Sequence, residues 1–353
     1  MGSRPLLKKG NRMVIVELVV SLGSILGAAI LFTNAIEILG ERLNLGQGAV
    51  GSVLAAVGTA LPETIIPVVA LIGAALTGEN AGASSEIGIG AILGAPFLLA
   101  TLALFIVGVS ALGFRHRRES GTEIAIDKGT TRWDIGVFLV FFGIAAGAGI
   151  VPLPFLLKVL FAALLVGAYI FYVWRTIRSG GGAREGETPE DLALWPEASW
   201  DKAPMWAVVA QVLGSLAVMG TGAHFFVEGV EQGSESIGIP AGLIALVLAP
   251  LATELPEKLN SVIWLREDKD ILALGNISGA MVFQSSVPVC LGLLFTPWSL
   301  DLLNALSAGL ALASGVVFFT LLSRKAPIQA WQMLGAGSLY IVFVAAAVYQ
   351  AAL

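Results

Sequence analysis

Two hexapeptides decide the reading of this chain: Gly58-Thr59-Ala60-Leu61-Pro62-Glu63 and Ala252-Thr253-Glu254-Leu255-Pro256-Glu257. Both lie inside long apolar stretches, and both set a proline directly before a glutamate. Proline within a helix removes a backbone donor and clashes with the preceding turn. The spacing therefore predicts helix breaks at Pro62 and Pro256, with carbonyls near Thr59 and Thr253 released from the hydrogen-bond ladder. A carboxylate follows each released carbonyl. Such oxygen donors suit a hard cation, because Ca2+ takes about 6–8 oxygens and tolerates irregular geometry.

The hexapeptides are the centre of a longer repeat. Residues 33–71 align without a gap on residues 227–265, and twelve of the 39 pairs are identical. Apolar bias accounts for the matched Val and Leu. It does not account for Glu37/Glu231, Glu41/Glu235, Gly48/Gly242, Thr59/Thr253, Pro62/Pro256 and Glu63/Glu257.

Around this repeat, ten apolar stretches are long enough for a bilayer-crossing helix, which needs about 20 residues. They cover approximately 13–40, 47–77, 85–112, 133–150, 152–175, 204–230, 239–265, 270–296, 299–323 and 327–352. The chain reads as an all-α polytopic membrane protein of two five-helix halves. An odd number of crossings inserts the halves in opposite senses. The result is an inverted repeat, the plan of many secondary transporters. The predicted division is a first repeat at 1–178, a linker at 179–203 and a second repeat at 204–353.

Composition agrees with that reading. Of 353 residues, 56% are hydrophobic and 13% charged, with a mean hydropathy of +0.86. Soluble domains carry about 25% charged residues, so a cytosolic enzyme is excluded. The net charge of −5 and the lack of a basic block give no footprint for nucleic acid. Cys290 stands alone, which excludes an internal disulfide or a cysteine metal cluster, and it reads as a small buried hydrophobe. No Gly-x-Ser-x-Gly, His-Glu-x-x-His or dinucleotide fingerprint occurs, so neither enzyme activity nor a cofactor is expected.

Loop charge predicts orientation. With ten crossings both termini share a side, and the opposite loops hold 14 of the 20 basic residues. The positive-inside rule makes that side cytoplasmic, with both termini outside and the 113–132 and 179–203 loops inside a plasma membrane. The tail residues Arg4, Lys8, Lys9 and Arg12 oppose this assignment. The first stretch is expected to stay as a helix, because it is too long for a signal peptide and carries Glu17 and Glu37.

An intramembrane glutamate costs about 2.5–3.5 kcal/mol on insertion scales, so Glu63, Glu254 and Glu257 together represent roughly 7–10 kcal/mol that packing alone does not repay. Glu254 and Lys258 are four residues apart and meet on one helical face. Two readings stand side by side. In one, Lys258 neutralises Glu254 and leaves Glu63 and Glu257 as the charge of the site. In the other, Lys258 is a tethered charge at a cation position, replacing Na+ or H+. Either way three Glu and one Lys sum to −2, which balances one divalent cation. His224 reads as a satisfied core residue, and Glu37 and Glu231 as interfacial.

On these motifs the chain resembles the calcium/cation antiporter superfamily, which includes the sodium/calcium exchangers. That family carries Gly-Thr-Ser-x-Pro-Glu in helices 2 and 7, matched here by residues 58–63 except at Ala60. Its second pattern is Gly-Asn-x-x-Gly-Ser-Asn-x-x-Asn or Asp in helices 3 and 8. Gly275-Asn276-Ile277-Ser278-Gly279 keeps the glycines and first Asn of that pattern. The resemblance places the α-repeats at about 47–112 and 239–296. It implies Ca2+ ligation by Glu63, Glu257 and the carbonyls of Thr59 and Thr253, with Asn276 and Gln284 as further oxygen donors. The family's sodium-ligand positions are Ala60, Glu254, Ala95, Leu99, Ala280 and Gln284 here, so several sodium ligands are lost.

The expected function is alternating-access exchange of Ca2+ for Na+ or H+, with helices 1 and 6 sliding against the other eight. Protonation of a buried carboxylate is the coupling step open to a chain depleted in sodium ligands. The alternative is a transport-inactive protein of the same fold acting as a binding or assembly partner. The expected partners are the lipid bilayer and inorganic cations, with oligomeric state left open.

Overall fold

Apolar stretches in lipid form helices because every backbone polar group must be satisfied within the segment. A computed structural model of the chain describes residues 9–42, 63–72, 81–178, 193–194 and 202–351. The helices are α1 (Lys9–Arg42), α2 (described over Glu63–Ile72), α3 (Ala81–Leu98), α4 (Leu104–Phe114), α5 (Lys128–Ile150) and α6 (Phe155–Arg178). The second half holds α7 (Met205–Ile237), α8 (Ala241–Arg266), α9 (Asp270–Gln284), α10 (Val287–Phe295), α11 (Leu302–Ser323) and α12 (Ala330–Ala351). A π-helical turn, Leu99–Ala103, joins α3 to α4 into one span. The pair α9–α10 makes a second interrupted span. The described residues thus hold eight long apolar spans and the two further helices α2 and α8, in keeping with a fold of about ten spans.

Helix ends follow their local chemistry. Asp127 caps α5 by accepting the N–H groups of Gly129 and Thr130. Asp301 caps α11 by accepting that of Asn304. Gly238, at φ +73°, closes α7 in the left-handed conformation that a side chain would oppose.

Packing between the halves is symmetric. α1 lies along α7, α11 along α5, α12 along α4 and α10 along α6. Exchanging spans one to five for six to ten maps this set of contacts onto itself. The inner spans Gly82–Phe114 and Asp270–Phe295 are 78% and 67% buried over their apolar windows, against 17% for the span inside α1. The outer apolar side chains therefore face lipid.

At the centre, α3 crosses α8 with almost no space between backbones. A Cβ on Gly90 would lie 2.1 Å from the Gly242 carbonyl oxygen, and one on Gly94 would lie 2.2 Å from that of Leu246. Small residues four apart allow this contact, and helix association in lipid depends on such packing.

The loops of the basic face are tied together. Arg118, fully buried, makes a two-pronged ion pair with Asp270 at 2.8 and 2.6 Å and donates to the Leu265 carbonyl. Asp268 accepts from the Ser120 hydroxyl and from the N–H groups of Glu119 and Ser120. These bonds, led by the Ser120 hydroxyl, hold the Asp268 carboxyl below the usual range. Two short strands, β1 (Glu123–Ile124) and β2 (Ile328–Gln329), pair antiparallel and add the α11–α12 link to the same cluster.

One expectation is corrected here. The chain is not broken at Pro256, since α8 runs continuously from Ala241 to Arg266. A buried helix tolerates proline because neighbouring elements hold it in place. The interruption falls instead at Ser285–Ser286, where both hydroxyls donate to the Val282 carbonyl and that of Ser286 also reaches Phe283. Pro288, near the start of α10, lacks an N–H that would otherwise need a partner. Pro62 lies outside the described residues.

Candidate cation site

Four buried polar residues from α8 and α9 meet near the middle of the bundle. Glu254 is 0% and Lys258 1% exposed. The Lys258 Nζ lies 3.5 Å from Glu254 Oε2, one helical turn away along α8. Gln284, the last residue of α9, donates its amide to Glu254 Oε1 in a very short contact. Ser261 continues the same stripe of α8, and its hydroxyl is buried with no hydrogen-bond partner among the described residues. The Gln284 carbonyl oxygen is likewise buried and unpartnered among them. Glu254 therefore has one oxygen toward an amide and the other toward an ammonium.

Thr253 is buried, and its hydroxyl donates to the Ala249 carbonyl at 3.1 Å. Glu63 is buried at the start of the described part of α2. One turn further on, Ile66 packs with Ala245 and Ala249 of α8, which places the two repeat-related helices together in the core. Thr59 lies outside the described residues. Glu257 belongs to the continuous α8, and its side chain lies outside the described residues. Asn276 is half-buried on α9 and shares a stripe with Gln284, two turns apart. Among the described residues no three His, Cys, Asp or Glu side chains converge on one point.

Other expectations resolve individually. Cys290 is buried, with its thiol toward the Ala162 carbonyl. His224, expected in the core, is exposed on α7 with its ring against Phe225, because its side of α7 turns away from α1. Glu231 is half-buried and accepts from the Ser84 hydroxyl at 2.9 Å, which bonds α7 to α3.

Sequence reasoning missed Asp134, which is 3% exposed on α5 and bonded to Tyr172 and Ser278. The insertion-cost argument applied to the glutamates would have found it, as an acid in an otherwise apolar span. Lys158 was also passed over. It caps the end of α10 by donating to the Thr296 and Pro297 carbonyls, a favourable position for a cation at a helix C-terminus.

Comparison with known proteins adds a second line of argument. The family described as sodium/calcium exchanger protein matches residues 13–178 and 207–349. An uncharacterized membrane protein of Methanocaldococcus jannaschii, MJ0091, is 23% identical over 316 residues, covering 89% of this chain and 91% of that protein. The putative antiporter CaxA of Alkalimonas amylolytica is 26% identical over 142 residues, covering 39% of this chain and 43% of CaxA. Among solved structures, the H+/Ca2+ exchanger CAX superposes with a TM-score of 0.67 at 19% identity, covering 94% of this chain and 81% of CAX. The sodium-calcium exchanger NCX_Mj gives 0.56 at 20% identity, covering 94% and 98%. These structural likenesses concern the fold.

Proposed function

Because the chain belongs to the sodium/calcium exchanger protein family, a family of secondary transporters, we propose that it exchanges Ca2+ for Na+ or H+ at a buried site built on Glu63 and Glu257. Thr59 and Thr253 supply backbone carbonyls in this reading, and Asn276 and Gln284 supply amide oxygens. The supporting observation is burial of Glu63 and Glu254 in repeat-related helices whose other described core residues are mostly apolar. Ion-site carboxylates inside a membrane are costly and are kept for such work. Lys258 neutralises Glu254, so the two glutamates left carry the negative charge that balances one divalent cation.

Loss of sodium-ligand side chains at Ala95, Leu99 and Ala280 favours H+ over Na+ as counter-ion. Basic residues on the face of the 113–132 loop support a cytoplasmic position for it and an outward position for both termini. The repeats divide at the 179–203 linker, and α1 with α7 forms the pair that moves against the rest.

A second reading, a transport-inactive partner protein of this fold, has one observation in its favour. The Glu254–Lys258–Gln284 cluster is internally satisfied in charge. Flux of Ca2+ into proteoliposomes under an imposed H+ or Na+ gradient separates the two. Transport that vanishes in Glu63→Gln and Glu257→Gln is expected. Undiminished transport in either variant overturns the site, and no flux under either gradient favours the second reading.

A further inference from the structure

A second buried acid lies apart from the glutamates. Asp134 is in the fourth span, about 9 Å along α5 from its first residue at the helical rise. Both of its oxygens are met by hydroxyls. Tyr172 of α6 donates to Oδ1 at 2.9 Å, and Ser278 of α9 donates to Oδ2 at 2.7 Å. Among the described residues no basic side chain is in ion-pair contact with it. The nearby cations are engaged with aromatic faces, Arg132 over Phe319 at 5.2 Å and Arg175 over Trp133 at 3.7 Å.

The titratable neighbours are few. α6 contributes Tyr172 and, stacked on it at 6.1 Å, Tyr169. α9 contributes only Asp270 at its far end, held by Arg118, and α11 contains no ionisable residue. On α5's own side stands Asp127, a like charge occupied as the helix cap. A buried carboxylate with no cation beside it is neutralised most cheaply by a proton.

A route for that proton is present. Thr176 stands one turn beyond Tyr172, nearer the end of α6, and is half-buried. Thr176, Tyr172, Asp134 and Ser278 thus form a file of hydroxyls and one carboxyl, running from the basic face inward to α9.

We propose that Asp134 is a proton-binding site, loaded from the basic face through the hydroxyls of Thr176 and Tyr172, and that its protonation state sets how firmly α9 is held. A hydronium ion at the basic face gives a proton to the Thr176 oxygen and is left as water, and Thr176 passes its own proton to Tyr172. The Tyr172 proton then moves to Asp134 Oδ1. One proton enters and one O–H forms. The ionised carboxylate holds Ser278 by a charge-assisted bond, which is about twice as strong as the neutral bond that replaces it on protonation. α9 carries Asn276 and Gln284, so the grip on Ser278 bears on the candidate cation site. Only this last consequence rests on the transport reading.

Infrared difference spectroscopy of the purified protein across a pH titration tests the site without any flux. A carboxylic-acid C=O band that titrates in the wild type and is missing in Asp134→Asn is expected, and an identical band in both overturns the proposal. Tyr172→Phe keeps the acid but removes its donor. Its band must move to higher frequency, and an unmoved band overturns the proposal even if Asp134→Asn does not fold. In proteoliposomes, wild-type rate should vary by about tenfold per pH unit in the titrating range and Asp134→Asn should flatten that profile. An unchanged profile refutes the link to α9. Absence of flux in all proteins would instead count against the exchanger reading, leaving the band to decide this one.

Discussion

The third and eighth spans hold equivalent places in the two repeats and solve the same problem differently. Aligning Gly90 and Gly94 on Gly275 and Gly279 puts Leu99 opposite Gln284. Both spans depart from α-helical geometry at that register. The third does so with a π turn, Leu99–Ala103, and the eighth with the break at Ser285–Ser286. The irregular backbone is kept in both halves, but polar side chains are kept in one. Gln284 bonds Glu254, whereas Leu99 is buried among apolar neighbours. The second and seventh spans repeat the contrast, since the counterparts of Glu254 and Lys258 in the aligned hexapeptide region are Ala60 and Thr64. The symmetry of the fold is therefore a property of packing, which the polar side chains at these aligned positions do not share.

Making the second half resemble the first is the way to break that contrast. The largest effect is expected from Lys258→Met, which strands the Glu254 carboxylate in the core. Breaking a buried pair by removing one partner costs about 3–5 kcal/mol, read as a lowered melting temperature in detergent. Glu254→Ala/Lys258→Thr, which copies Ala60 and Thr64, should recover most of that loss. A melting temperature in Lys258→Met equal to wild type would mean that the pair is not coupled.

Gln284→Leu copies Leu99 and removes one hydrogen bond to a charged group. Its expected cost is about 1.5–3 kcal/mol. If Glu254 and Gln284 interact as described, that cost should shrink markedly in the Glu254→Ala background, and a double-mutant cycle measures the difference.

The smallest effect concerns the loops of the basic face. Asp268 is held below the ordinary carboxylate range in the folded protein, so its contribution is complete above the unfolded value and is lost as pH falls through the folded one. Hydrogen exchange at Glu119 and Ser120 should stay slow down to the usual aspartate range and accelerate only below it. Asp268→Asn should show the fast exchange already at neutral pH.

Much of the fold was legible because its signals are local. Apolar runs of sufficient length marked the ten spans, and the matched Glu, Pro and Thr marked the repeat. The break in the seventh span was misplaced because proline was weighed as an isolated helix breaker. In a buried helix the lost donor is a single bond, while Ser285-Ser286 and Pro288 together supply both an ending and a new beginning. The Asp134 cluster was invisible for a different reason. Its members come from three spans, with Tyr172 and Ser278 lying 38 and 144 residues away from Asp134. No spacing rule connects them. Glu254 and Gln284, 30 residues apart, meet only because the eighth span ends its first helix where the seventh passes.

The Arg118–Asp270 pair has a bearing on how such a chain is assembled. Its members are 152 residues apart, and the chain has one cysteine and hence no internal disulfide to close so long a loop. A covalent link across that span would restrict the unfolded chain as well as the folded one. An ion pair imposes nothing until both partners are present. Arg118 is made early in synthesis and waits at the membrane surface, where a charge is cheap, until four further spans have been threaded and Asp270 arrives. The two halves are then fastened by a fork of hydrogen bonds that requires no oxidant and that any later opening can undo.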